Sequence, residues 1–272
     1  MVIRLEGVVV RRAGRQILGP IDWTVAPGER WVVLGRNGSG KTTLLSVASM
    51  NLWPTAGRVD VLGEVYGRTD SRELRRRVGM AGSAVEAAMR SDLTPRDLIM
   101  TARHGAFEPW WHVYDDADRA RAASLGRELG LGDHLDQPFA TLSAGERRRT
   151  SIARALMPDP DVLFLDEPTA SLDLAARETL LADLTRLAAS ARPTAIVLVS
   201  HHLEEIPRGF DRVLLLADGV VAASGPVDDV LRAEVLSAAF GVDLDVGVAD
   251  GRWSARGRAV GEPSGPPART SR

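Results

Sequence analysis

The chain has no cysteine and a single lysine among 272 residues. Without cysteine it has no disulfide framework and no thiolate metal site, which suits a reducing compartment. Every other basic side chain among its 34 Lys and Arg is an arginine. Long apolar runs are missing too: none approaches the ~18 residues needed to cross a bilayer. Met1 to Val10, MVIRLEGVVV, lacks a charged-then-apolar signal pattern and reads as a strand. The chain is therefore expected to be soluble by itself, with any membrane link made through a partner. Neither sign of charge predominates: the formal net charge is −2 and the isoelectric point is near 6.2. No global basic field draws nucleic acid to it. The length suits one large domain or two small ones, and no internal repeat is visible.

The lone lysine lies in Gly35-Arg36-Asn37-Gly38-Ser39-Gly40-Lys41-Thr42-Thr43. This stretch fits G-x-x-x-x-G-K-[ST], the phosphate-binding loop. Arg30 to Leu34 before it reads as a buried strand, and Thr42 to Val47 after it as the start of a helix. That context is what the loop needs. Its glycines allow torsions closed to other residues, so backbone N–H groups can turn inward around phosphate oxygens. The new helix adds unpaired N–H groups and about half a positive charge. Lys41 is expected to reach the outer phosphates, and Thr42 to ligate Mg²⁺.

Val162-Leu163-Phe164-Leu165-Asp166-Glu167-Pro168 is an apolar strand ending in two carboxylates. Asp166 suits Mg²⁺, and Glu167 suits a base that orients or deprotonates water, provided the chain turns there. Ala195 to Val199 is a second apolar strand, followed by Ser200, His201 and His202. A neutral imidazole at such an edge can bond a γ-phosphate and its attacking water, a role given to His201. Leu142-Ser143-Ala144-Gly145-Glu146 opens a helix, with Ser143 as N-cap and a second seat for an anion. Alone, the last three features are an acidic turn, surface histidines and an ordinary cap. Behind a phosphate loop they form a set.

Elsewhere, Val2 to Val10, Ile21 to Val25 and Gly57 to Leu62 read as an antiparallel sheet. Residues from about Ser83 to Gly132 turn helical, and Val213 to Leu216 and Val220 to Ala223 flank Asp218-Gly219 as two strands. Strands alternating with helices around the loop mean an α/β sheet with helices on its faces. The stretch from about Gly251 onward is Gly/Pro/Arg/Ser-rich and reads as a disordered tail, placed at 246–272.

Together these residues resemble the ATP-binding-cassette (ABC) ATPases over about residues 2–245. GRNGSGKTT is similar to their phosphate loop, LSAGE to their signature, VLFLDEP to their acidic strand. Ala170-Ser171-Leu172-Asp173 is similar to their dimer-contacting loop and His201 to their switch histidine. The resemblance implies a P-loop NTPase core with a flanking antiparallel β-subdomain and a helical subdomain, about 83–157, in one domain over 1–245. It implies ATP and Mg²⁺ as ligands, with Gly35 through Thr43 binding nucleotide and Thr42 and Asp166 holding the metal. Glu167 would be the catalytic base and His201 its aide. It implies a head-to-tail homodimer in which Ser143 and Gly145 of one copy touch the γ-phosphate held by the other. The expected role is the cytoplasmic motor of a membrane transporter, peripheral to the cell membrane through a multispanning permease. The alternatives are a soluble ABC ATPase acting on a ribosome or nucleic acid, and a regulatory module that hardly hydrolyses.

Four positions depart from the family pattern. Ser83 stands where a glutamine usually contacts the metal or water, Arg12 near the usual adenine-stacking aromatic, and Ala144 and Glu146 inside the signature. Arg75-Arg76-Arg77 and Arg147-Arg148-Arg149 read as solvated helix faces rather than nucleic-acid contacts. Trp110-Trp111 reads as core or as a partner anchor.

Overall fold

Apolar residues alternate along Ile3–Arg12 (β1) and Arg15–Val25 (β2), the pattern of strands with one buried face. With Ala56–Val61 (β4) and Glu64–Val65 (β5) they form an antiparallel sheet in the order β2-β1-β4-β5. The computed structural model describes residues 1–65, 74, 76–109, 112–190 and 193–258.

The second sheet carries the site. Its order is β10-β9-β3-β8-β7-β6, built from Arg30–Gly35 (β3), Val78–Gly82 (β6), Val162–Asp166 (β7), Ala195–Val199 (β8), Arg212–Ala217 (β9) and Val220–Pro226 (β10). All neighbours are parallel except β9 and β10, joined through Asp218 and Gly219 at positive φ. That pair of torsions matches the twist of a two-residue hairpin. β3, β7 and β8 are near-continuous apolar runs because both of their faces are covered. Alternation then divides them. Leu34, Leu165 and Leu198 enter one core cluster; Val33, Phe164 and Val197 enter the other.

Lys41–Ala48 (α1) follows β3 and packs into the cluster shared with the antiparallel sheet. The helical insertion comprises Ser83–Ala87 (α2), Pro95–Thr101 (α3), Asp116–Glu128 (α4) and Ala144–Leu156 (α5). Their starts are written in the sequence: Thr94 accepts from the Asp97 N–H ahead of Pro95, and Asp115 forms a capping box with Asp118. Leu174–Ala188 (α6) starts at the Asp173 cap.

Two expectations need correction. Residues 246–257 are not a disordered tail: Leu244–Ala249 (β11) and Arg252–Gly257 (β12) form an antiparallel hairpin. Asp250-Gly251 makes its turn, and Leu244, Val246, Trp253 and Ala255 pack on the core. Gly/Arg-rich composition hid a D-G turn between alternating residues. Arg148 is also not on a solvated face, being only 6% exposed. Trp110, Trp111, Arg75 and residues from 259 onward lie outside the described residues.

Candidate active site

β3 ends at Gly35, where φ is 153°. A Cβ there would stand 2.3 Å from the Leu216 carbonyl oxygen and 2.5 Å from Ser39 Oγ. At Gly40, φ 98°, a Cβ would stand 2.9 Å from Leu18 Cδ1. Both positions need glycine, one to pass the β9 backbone and one to pass β2. α1 begins at Gly40 with no side-chain cap and no acidic residue in its first turn. Its leading N–H groups are left for an anion.

Lys41 is 5% exposed, and its Nζ donates to the carbonyls of Gly35 (2.8 Å) and Arg36 (3.1 Å). Burial lowers its pKa, against the pull of Glu167 and Asp166. Ser39 is buried and its Oγ has no partner. Arg36, Asn37, Gly38 and Thr42 are exposed, and Thr43 is half-buried.

Asp166 ends β7 and is in register with Gly82 and Val199. The strands therefore deliver their C-terminal ends to one edge, where ligands bind in open α/β sheets. Burial raises the Asp166 pKa, the Glu167 charge raises it further, and Lys41 and Arg148 oppose both. Its Oδ1 is buried without a partner. Carboxylate and hydroxyl oxygens are the donors a hard divalent cation takes, so Asp166 with Thr42 fits Mg²⁺.

The chain does turn at Glu167, whose φ is 44°. Its N–H donates to Val199 O at 3.1 Å, and its carbonyl accepts from Arg148 Nη1 at 2.9 Å. His201 Nδ1 stands 3.3 Å from Glu167 Oε1, an ion-pair distance without hydrogen-bond alignment. Ser200, fully buried, donates its hydroxyl to the Glu205 carboxylate and accepts from the His202 N–H at 3.0 Å. That bond fixes the turn on which His201 rides. The His202 ring lies 4.1 Å from the His201 ring.

Ser143 and Gly145 are held at the start of α5, against the start of α6. Ser143 caps the helix in a box with Glu146: Glu146 N–H donates to Ser143 Oγ (3.3 Å), and Ser143 N–H to Glu146 Oε2 (2.8 Å). Burial pushes the Glu146 pKa up, but the Ser143 bonds, His134 at 3.2 Å and Arg149 hold it below its usual value. A charged residue in the signature's last position is thus a satisfied cap. A Cβ at Gly145 would stand 3.2 Å from Ala176 Cβ. Ser83, exposed, is the first residue of α2, and Arg12, exposed, ends β1 opposite Arg15.

The edge therefore unites the phosphate loop, Asp166, Glu167 and His201. The family model for ABC transporters matches residues 18–170. The chain belongs to the ABC transporter ATP-binding family. It is 40% identical over 250 residues to the uncharacterized ABC transporter ATP-binding protein YlmA of Bacillus subtilis, spanning 90% of this chain and 93% of that one. The structure of cbiO1 from Clostridium perfringens, part of the transporter complex cbiONQ, superposes with a TM-score of 0.74 at 25% identity, covering 86% of this chain and 92% of that one. A dimeric post-hydrolysis cassette bound to ADP and Pi shares the fold, with a TM-score of 0.71 at 23% identity over 83% of this chain and 98% of that one. The family activity is ATP hydrolysis powering transport, and this ABC protein is an ATP-binding motor subunit. Among the described residues no helix is long and apolar enough to cross a membrane.

Two residues beside Glu167 were not singled out in the sequence. Arg148 and Glu86 meet beside Glu167. A signal for Arg148 existed: Gly145, Arg148, Ile152 and Leu156 repeat at helical spacing and are all buried.

Proposed function

We propose that two copies of this chain close head to tail over two ATP molecules and transmit that motion to a multispanning permease at the inner face of the cell membrane. The observation that carries the reading is the convergence of Lys41, Asp166, Glu167 and His201 on one sheet edge, with His201 3.3 Å from Glu167. Backbone N–H groups of Gly35 to Thr43 cradle the phosphates, and the buried Lys41 ammonium supplies a compact charge at their outer end. When bound at Thr42 and Asp166, Mg²⁺ supplies neutralisation of the phosphate oxygens. Glu167 takes the proton of a water whose oxygen attacks the γ-phosphorus. The bond from phosphorus to the bridging oxygen breaks, and ADP and phosphate leave. His201 holds the Glu167 carboxylate and the water in line. Ser143 and Gly145 of the second copy grip the γ-phosphate, so its loss frees the two surfaces.

The likeness to cbiO1, part of the transporter complex cbiONQ, supports the permease as partner, and a cavity of about 440 Å³ lies between the sheet and the helical insertion. Met80, Val85 and Phe107 line it beside the segment that begins at Ser83. The test is purification of the tagged full chain from membranes. Co-purification of a multispanning protein that raises ATP turnover is expected. Stimulation by ribosomes or nucleic acid, with none by membranes, would point to a soluble ABC ATPase instead.

A further inference from the structure

Arg148 sits one turn into α5 with its side chain buried. Its Nε is in ion-pair contact with the Glu86 carboxylate on α2. Its Nη1 donates to the Glu167 carbonyl at 2.9 Å. One planar guanidinium thus ties together the helix after Ser143, the segment after β6 and the residue after β7. Glu86 is itself mostly buried, and its pKa is raised by burial against the opposing charge of Arg148.

Glu167 is the residue that needs holding. A non-glycine residue in the left-handed region is strained and persists only where its surroundings enforce it. Three bonds do so here: the Glu167 N–H donates to Val199 O, and the Glu167 carbonyl accepts from Arg148 Nη1 and, at 3.1 Å, from the Ala170 N–H of its own turn. Val199 belongs to the sheet, whereas Arg148 and Glu86 belong to the insertion. A small movement of the insertion therefore reaches the Glu167 peptide through Arg148.

We propose that Arg148 is a positioning residue for ATP hydrolysis: with Glu86, it holds the Glu167 turn that aims the carboxylate at His201, and it makes turnover sensitive to where the helical insertion stands. This rests on the reading of Glu167 as the base. Ser83 is exposed and short, whereas Glu86, three residues on, reaches Arg148. A lysine has one ammonium and cannot serve Glu86 and the Glu167 carbonyl with the fixed fork of a guanidinium. A buried pair with only a structural role would be felt as lost stability; a positioning pair is felt in kcat.

The experiment uses the full chain with Arg148→Lys and Glu86→Gln, each in the wild-type and the Glu167→Gln background. Expected for Arg148→Lys are ATP affinity within about twofold of wild type and a kcat lowered about 10- to 100-fold, the scale of a misaimed catalytic group. Glu86→Gln should lower kcat less, in the same direction. In the Glu167→Gln background, the single-turnover rate should not fall further with Arg148→Lys. An equal fold loss in both backgrounds, or an unchanged kcat in folded protein, overturns the proposal. If Arg148→Lys fails to fold, Glu86→Gln, nearly isosteric, takes its place in both backgrounds, and the same two results overturn the proposal. Wild-type turnover by Glu167→Gln alone would instead overturn the assignment of the base.

Discussion

Replacing Gly35 with alanine should damage stability first, and replacing Gly38 should damage nucleotide binding first. At Gly35 the new Cβ would stand 2.3 Å from the Leu216 carbonyl, which belongs to the backbone of β9. Gly35 is in register with Leu216, so β3 and β9 must part or the φ of 153° must change. Overpacking costs about 1–3 kcal/mol and a backbone outlier about 1–3 kcal/mol, a sum of about 2–6 kcal/mol. For a chain of this size each kcal/mol lowers Tm by about 2–4 °C, so Gly35→Ala should melt on the order of 10 °C lower. At Gly38, φ 82°, no atom lies within 4 Å of a built Cβ. Only the left-handed torsion opposes the change, by about 1–2 kcal/mol, and Tm should drop a few degrees. Both variants should bind a fluorescent ATP analogue more weakly, because both lie in the cradle. Thermal unfolding without nucleotide separates them. Equal losses of Tm, or a Gly35→Ala protein that melts like wild type, would refute the packing argument.

Asp166→Asn should abolish hydrolysis and also change the pH dependence of stability. The folded-state pKa of Asp166 is raised, so its contribution is fully present below the usual carboxylate value, about 4, and is lost as pH rises through the raised one. Without nucleotide, the urea midpoint of Asp166→Asn should therefore gain on wild type as pH rises from about 4 toward neutrality; a constant difference would contradict the buried, unpaired carboxylate. Arg252→Ala should loosen the C-terminal hairpin, since Arg252 bonds Glu178 at 2.7 Å and the Glu204 carbonyl at 2.7 Å. These groups are partly exposed, so the global loss should be only about 1 kcal/mol, with faster amide exchange confined to 244–257 and the adjoining Leu203–Glu205 turn. Phe164→Ala, in a fully buried position of β7, should cost about 3–5 kcal/mol in denaturant unfolding and lower activity only through lost folded protein.

The phosphate loop was legible because its chemistry is local: strand, glycines, lysine and helix are contiguous, and each implies the next. Asp166 stood out because an apolar strand ends on it, and His201 because it follows an apolar strand by two residues. Arg148 was not legible, because the run Arg147-Arg148-Arg149 has one composition but a buried member between two half-buried ones, and only the stripe it shares with Ile152 and Leu156 separates the buried member. Glu86 could not be read at all, since its burial depends on where α2 meets α5. The hairpin at 244–257 was hidden by weighing composition over alternation, although Asp250-Gly251 between Val248 and Trp253 carries a hairpin signal. Contacts across the fold between residues far apart in the chain, such as Arg252 with Glu178, leave no local trace.

The central claim is that ATP joins two copies of this chain and that Glu167 cuts the joint. It is tested most directly by gel filtration of Glu167→Gln with Mg²⁺ and with or without ATP. The account predicts a dimer with ATP, a monomer without it, and turnover reduced at least about 100-fold, the low end for loss of a general base. A protein that stays monomeric with saturating ATP and hydrolyses it at the wild-type rate would contradict the account.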